Sequence, residues 1–135
     1  MRTSSRLRRC VGPAAAAAAA AGVLTLVGSV DPGVPGRYPT CPFLFATGLL
    51  CPGCGTLRAL YALVHLDVVQ AVSANVLTVL AVPLLAWMWW RWAGQLWAGR
   101  SRQQLAPPWR IQALLVVILA FWVLRNVPAA SFLAP

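Results

Sequence analysis

The sequence predicts an all-α membrane protein with three transmembrane helices and a short re-entrant or interfacial helical hairpin between the first two. Three observations carry this. Of the 135 residues, 60% are hydrophobic and 10% charged, and the mean hydropathy is +0.73, a balance that belongs in a bilayer. Long uncharged runs recur at Val11–Val30, from Val76 to Trp90 and at Ile111–Leu124. A further uncharged stretch, Tyr38–Leu57, is interrupted too often by proline and glycine to cross.

The chain forms one domain at most. It divides into 1–37 (cytoplasmic tail, first span and loop) and 38–135 (a cysteine-motif membrane domain with two further spans). The net charge of +9 rests on eleven arginines and no lysine. Eight fall in two blocks, Arg2, Arg6, Arg8, Arg9 and Arg91, Arg100, Arg102, Arg110, beside hydrophobic runs where charge sets topology. No basic face is interleaved with aromatics, so the charge speaks for a bilayer and against nucleic acid. Two carboxylates give paired acid–base chemistry little to work with, and neither a glycine-rich phosphate loop nor a Ser-His-Asp set is visible.

Val11–Val30 has the length that spans about 30 Å of hydrocarbon. Its outline behind Arg8-Arg9 is also that of a signal peptide, but the run exceeds the usual apolar core of about 7–15 residues, so an uncleaved anchor is expected. Asp31-Pro32-Gly33-Val34-Pro35-Gly36 ends it, since proline lacks an amide donor and glycine is loose. Within the next stretch only Phe43–Leu50 can be regular, about 12 Å of helix. A helix after Cys51-Pro52-Gly53-Cys54 should run to about Leu66. Asp67-Val68-Val69-Gln70 reads as a capping box, placing a corner at Asp67. Asn75 should cap the second span, Val76 to about Trp92, which Pro83 should kink. Trp87, Trp89, Trp90, Trp92 and Trp97 form an aromatic belt at its end. The last span begins near Trp109. Arg110 and Arg125 bracket only about 21 Å of helix, so they should snorkel or the span should tilt. The tail after Asn126 should lie on the membrane or pack on the core.

Putting both arginine blocks in the cytoplasm leaves Arg37, Arg58 and Arg125 outside. The expected topology in a bacterial inner membrane has the N-terminus cytoplasmic, with the C-terminus and Cys41, Cys51 and Cys54 on the outer, oxidising side.

The chemistry gathers in Cys51–His65. If a helix begins at the Cys-Pro-Gly-Cys turn, Cys51, Cys54, Arg58, Tyr61 and His65 share one face through steps of 3, 4, 3 and 4. Cys54 at a helix start, with Arg58 one turn on, should have a lowered pKa. Arg58 in apolar sequence needs a partner or headgroup phosphates, and Asp67 is the expected partner of Arg58 or Arg125. Three readings of the thiols stay open. The first is a structural disulfide of Cys41 with Cys51 or Cys54. The second is a redox-active Cys51–Cys54 pair resolved by Cys41. The third is a metal site of Cys41, Cys51 and Cys54, with zinc the ion considered. His65 as fourth zinc ligand fails in a continuous helix, which places it about 16 Å from Cys54. His65 alone reads as a helix-end residue, and Asn126 as a helix-end bond or part of an outer pocket with Arg58.

Cys41-Pro42-Phe43, Thr47-Gly48-Leu49, Cys51-Pro52-Gly53-Cys54-Gly55-Thr56-Leu57-Arg58-Ala59, Asn75 and Arg125-Asn126-Val127-Pro128 resemble domain-of-unknown-function family 2752, small bacterial multi-pass membrane proteins with a Cys-Pro-x-Cys-Gly-x-x-Arg motif. The resemblance covers about Tyr38–Pro135. That family usually has His near His65 and Asn-Pro near Asn75, where Val76 replaces the proline here. The resemblance implies the membrane architecture and no activity. The expected function is that of a non-enzymatic accessory or assembly subunit with a cysteine-stapled outer surface. A membrane thiol–disulfide component is the alternative, and a metal-binding membrane protein comes third. No cofactor is expected, zinc being the single alternative considered. Expected partners are the lipid bilayer and a membrane protein or second copy.

Overall fold

Five helices make up the regular structure of the computed structural model, which describes residues 2–34, 36–39, 41–100 and 107–128. They are α1 (Arg2–Ser29), α2 (Pro42–Thr47), α3 (Thr56–Val64), α4 (Val68–Trp97) and α5 (Pro108–Arg125). Three are long and apolar enough to cross a membrane: Cys10–Ser29 of α1, and α4 and α5 throughout.

The long helices run up, down and up. At one end the Trp89 indole donates to the Pro13 carbonyl at 3.1 Å, and Trp92 packs over Gly12. At the other, Val64 lies against Gly28, and Arg125 reaches Ala74. Two of the five belt tryptophans, Trp89 and Trp92, therefore hold α1 to α4, while Trp87, Trp90 and Trp97 are exposed.

Residues 42–66 do not cross. They fold as α2, a turn and α3 over the Ala74 end of the bundle. α3 packs on α4 through Ala59 and Ala62 against Ala71 and Ala74, all buried. Small side chains let the backbones approach, which is how helices associate when lipid removes the hydrophobic drive. Phe43 of α2 meets Trp122 of α5 edge-on, with centroids 5.9 Å apart. The buried set is small, and Leu114, Leu115, Val116, Val117 and Leu119 of α5 are exposed, as lipid-facing side chains are.

Local signals decided several boundaries. Asp67 accepts from the Gln70 amide at 2.9 Å, the N-cap its sequence forecast. Leu66, in the left-handed region at φ 62°, turns the chain between α3 and α4. Asn75, at φ −167° and ψ 97°, breaks α4 into two helical pieces. Its Oδ1 accepts from the Thr78 amide at 3.1 Å, capping a second piece of about 33 Å.

Two expectations need correction. Pro83 lies inside α4, yet the residue that departs from helical geometry is Asn75, so the break comes about two turns after the Asp67 cap, where the second span was expected to start, and not at the proline. Arg125 does not snorkel: it is 2% exposed and turns into the bundle, whereas Arg110 stays exposed beside the Trp109 ring. Most of the 99–108 loop and the tail beyond Pro128 lie outside the described residues.

Candidate functional site

Three thiols from two segments converge at the Ala74 end. Cys41 immediately precedes α2, whose first residue is Pro42. Cys51 and Cys54 sit on a tight turn closed by Cys54 N–H to the Cys51 carbonyl at 3.1 Å, with proline at the position that favours φ near −65°. Gly55, at φ 83°, then reverses the chain into α3, a conformation that would strain any residue with a Cβ.

The three Sγ atoms lie within 4.8 Å of one another. Cys51 and Cys54 are 2.9 Å apart, Cys41 and Cys51 3.5 Å, and the Cys51 amide donates to the Cys54 sulfur at 3.2 Å. All are free thiols, and these separations exceed a disulfide bond of about 2.05 Å. The expected staple between Cys41 and the turn is therefore present as proximity and not as a bond. In a tetrahedral zinc–thiolate centre with bonds of about 2.3 Å, sulfurs stand about 3.8 Å apart. The observed separations, from 2.9 Å up to at most 4.8 Å, bracket that spacing.

The turn is held by two asparagines. Asn75 Nδ2 donates to the Pro52 carbonyl at 2.9 Å and to the Cys54 carbonyl at 3.1 Å. Asn126 Oδ1 accepts from the Leu50 amide, and its Nδ2 donates to the Leu50 carbonyl, each at 2.9 Å. Asn126 thus joins α5 to the residue before Cys51, a tertiary role in addition to its helix-end bond to Trp122. A contact between the Thr56 and Thr78 hydroxyls at 3.1 Å closes the same junction.

Arg125 completes the site. Nη2 donates to the Ala74 carbonyl at 3.0 Å, while Nε and Nη1 are buried with no partner among the described residues. The groups near enough to interact with its charge are Cys54 and Cys51. A buried guanidinium with unused donors costs several kcal/mol, on the order of 3–5, unless an anion faces it.

The thiols are inequivalent. The Leu44 amide and then the Cys51 thiol pull Cys41 down to about 7, although no full capping hydrogen bond forms at α2. Burial first, and then the Cys51 thiol, pushes Cys54 up to about 12. This reverses the expectation that Cys54 would be acidified. α3 starts at Thr56, so the thiols precede the helix and no five-residue stripe from Cys51 to His65 exists. Desolvation outweighs the helix terminus, and Arg58 is exposed.

The remaining sequence candidates fall outside the thiol cluster. His65 stacks on Tyr61 with centroids 4.2 Å apart, and its Nδ1 meets the Tyr61 carbonyl at 2.8 Å. Asp67 caps α4 and does not pair with Arg58 or Arg125. Arg58 lines two adjoining cavities, one shared with Asp31 and Tyr61 and one with Cys41 and Cys54. Sequence reasoning missed Thr78 and the Leu50 and Ala74 backbone groups. Thr78 alone carried a signal, three residues beyond the cap.

A family model described as "Protein of unknown function (DUF2752)" matches residues 41–89. No curated protein and no solved structure matches the chain. The match takes in all three clustered thiols, Arg58 and Asn75, and ends before Arg125 and Asn126. The chain is thus similar to that family over residues 41–89, in agreement with the resemblance that its cysteine motif carries.

Proposed function

We propose that this multi-pass membrane protein is a non-enzymatic metal–thiolate protein, in which Cys41, Cys51 and Cys54 bind one thiophilic divalent ion, zinc foremost. The observation that carries the reading is a cluster of three converging thiols with the buried Arg125, two of its three guanidinium nitrogens unpartnered among the described residues, near enough for its charge to act on Cys54 and Cys51. Three thiolates around a dication have a net charge of −1, which Arg125 neutralises. Neutral thiols or a disulfide would leave the guanidinium without an anion. The metal would tie Cys41, ahead of α2, to the Cys51–Cys54 turn that Asn75 and Asn126 hold to α4 and α5, giving an accessory or assembly subunit a fixed surface for a membrane partner or second copy. The arginine blocks support an orientation in a bacterial inner membrane with that surface outside and the N-terminus cytoplasmic.

The metal content of the full chain, purified in dodecyl maltoside, tests this directly. About one zinc per chain is expected, lost in each single Cys→Ser variant of the three, with the thiols unreactive to alkylation until a chelator is added. Absence of metal together with freely alkylated thiols sinks the proposal.

A second reading rests on the 2.9 Å Cys51–Cys54 contact and the low pKa of Cys41. In it, Cys51 and Cys54 form a disulfide, passing two electrons and two protons to a partner disulfide, with Cys41 resolving mixed species. A Cys51–Cys54 bond that follows the applied thiol potential in metal-free protein selects this reading. Impermeant alkylation of intact and detergent-opened cells tests the orientation.

A further inference from the structure

Three protein thiols leave a four-coordinate ion one ligand short. Among the described residues the cluster contains no fourth donor. His65 is engaged at the far end of α3, and the Asp31 carboxylate accepts from the Gly33 amide at 2.7 Å, in the neighbouring cavity. Two of the three cysteines border a cavity instead. Cys41 and Cys54 line this space of about 570 Å³, walled by Tyr38, Leu44 and Leu50, in which Arg58 is the lining residue with a fixed charge. That volume is in the range of small-molecule pockets, about 300–1,000 Å³.

Charge then restricts what can enter. The three-thiolate centre already uses Arg125 as its counter-charge. A further anionic ligand brings a second negative charge, and Arg58 is the second cation, placed at the opening and not in the core. We propose that the fourth ligand is a small exogenous anion bearing a carboxylate or thiolate donor, which enters through this cavity and is held by Arg58. This rests on the metal reading above. Binding is ligand exchange: the anion's donor atom displaces a metal-bound water, and no electron moves. The two arginines then divide the work. Arg125 stabilises the metal–thiolate centre, and Arg58 selects the ligand.

Cobalt loading of the full chain in dodecyl maltoside provides the test, with acetate and mercaptoacetate as probes. The thiolate-to-cobalt charge-transfer band reports the metal site, and the visible d–d bands report the fourth position. Both probes should shift the d–d bands saturably in the wild type. Arg58→Gln should raise the apparent Kd by about tenfold, the loss of one charge-assisted contact, with the charge-transfer band unchanged, and Arg58→Lys should recover part of the affinity. Bands that neither probe moves overturn the inference while leaving the metal site standing, as does equal affinity in Arg58→Gln. A shift seen in phosphatidylglycerol nanodiscs but with no soluble anion reassigns the position to a lipid phosphate and overturns the small-molecule assignment. Absence of the charge-transfer band in the wild type removes the metal reading and this inference together.

Discussion

Asn126 holds both polar groups of Leu50, accepting from its amide and donating to its carbonyl at 2.9 Å each, across 76 positions of sequence. Asp at this position keeps the acceptor but turns an oxygen toward the Leu50 and Trp122 carbonyls that now receive hydrogen bonds. Asn126→Asp should therefore destabilise the protein by about 2–4 kcal/mol through two lost bonds and the repulsion that replaces them. Thermal unfolding in maltoside measures this, and faster alkylation of Cys51 should accompany it.

Asn75 has two jobs, and its removal should register in both. Asn75→Ala loses a helix cap worth about 1 kcal/mol and leaves the buried Cys54 carbonyl without its donor, for a total of about 2–3 kcal/mol. The Cys54 thiol should become reactive under conditions that leave it protected in the wild type. An unchanged alkylation rate would show that the turn holds without the asparagine.

Arg125 separates folding from site chemistry. In metal-free protein, Arg125→Met replaces a half-unpaired buried cation with an apolar chain of similar length, so stability should stay level or rise. Zinc affinity should nevertheless fall by about tenfold or more, because the anionic centre loses its counter-charge. Competition with a chromophoric chelator gives the affinity, and a thermal scan of the apo form gives the stability.

Gly28 marks a close approach of α1 to α3. A Cβ built there would lie 2.9 Å from Cγ1 of Val64, a β-branched side chain with little freedom to turn away. Gly28→Ala should cost about 1–3 kcal/mol, as overpacking does, and Val64→Ala should restore most of it in the double variant. Additive losses would mean that the two residues do not meet.

Leu66 offers a gain. It is 87% exposed with φ 62°, so its side chain packs on little while its backbone is in a region costly for a residue with a Cβ. Leu66→Gly should raise the unfolding free energy by about 1 kcal/mol, read as a higher Tm in maltoside. A lower Tm would show that Leu66 contributes packing that its exposure does not suggest.

What the sequence determined by itself was local. The spans were legible because an uncharged run of some twenty residues has one good environment. The Asp67 cap and the break at Asn75 were legible because a short polar side chain competes with the helix over three residues. A helix after the cysteine turn was legible, but the one-face stripe from Cys51 to His65 fails because Gly55 takes a left-handed turn that continuous periodicity does not register. The tertiary structure alone decided which arginine is buried near the thiols. Arg58 is four residues from Cys54 and lines a cavity, while Arg125, 71 positions away, is buried by α5 within electrostatic reach of Cys54 and Cys51. It also decided that Cys41 joins Cys51 and Cys54, through a turn held by Asn75 and Asn126. Those contacts depend on how three helices meet at one end, and a counter-charge is chosen by distance in space, which spacing along a chain does not report.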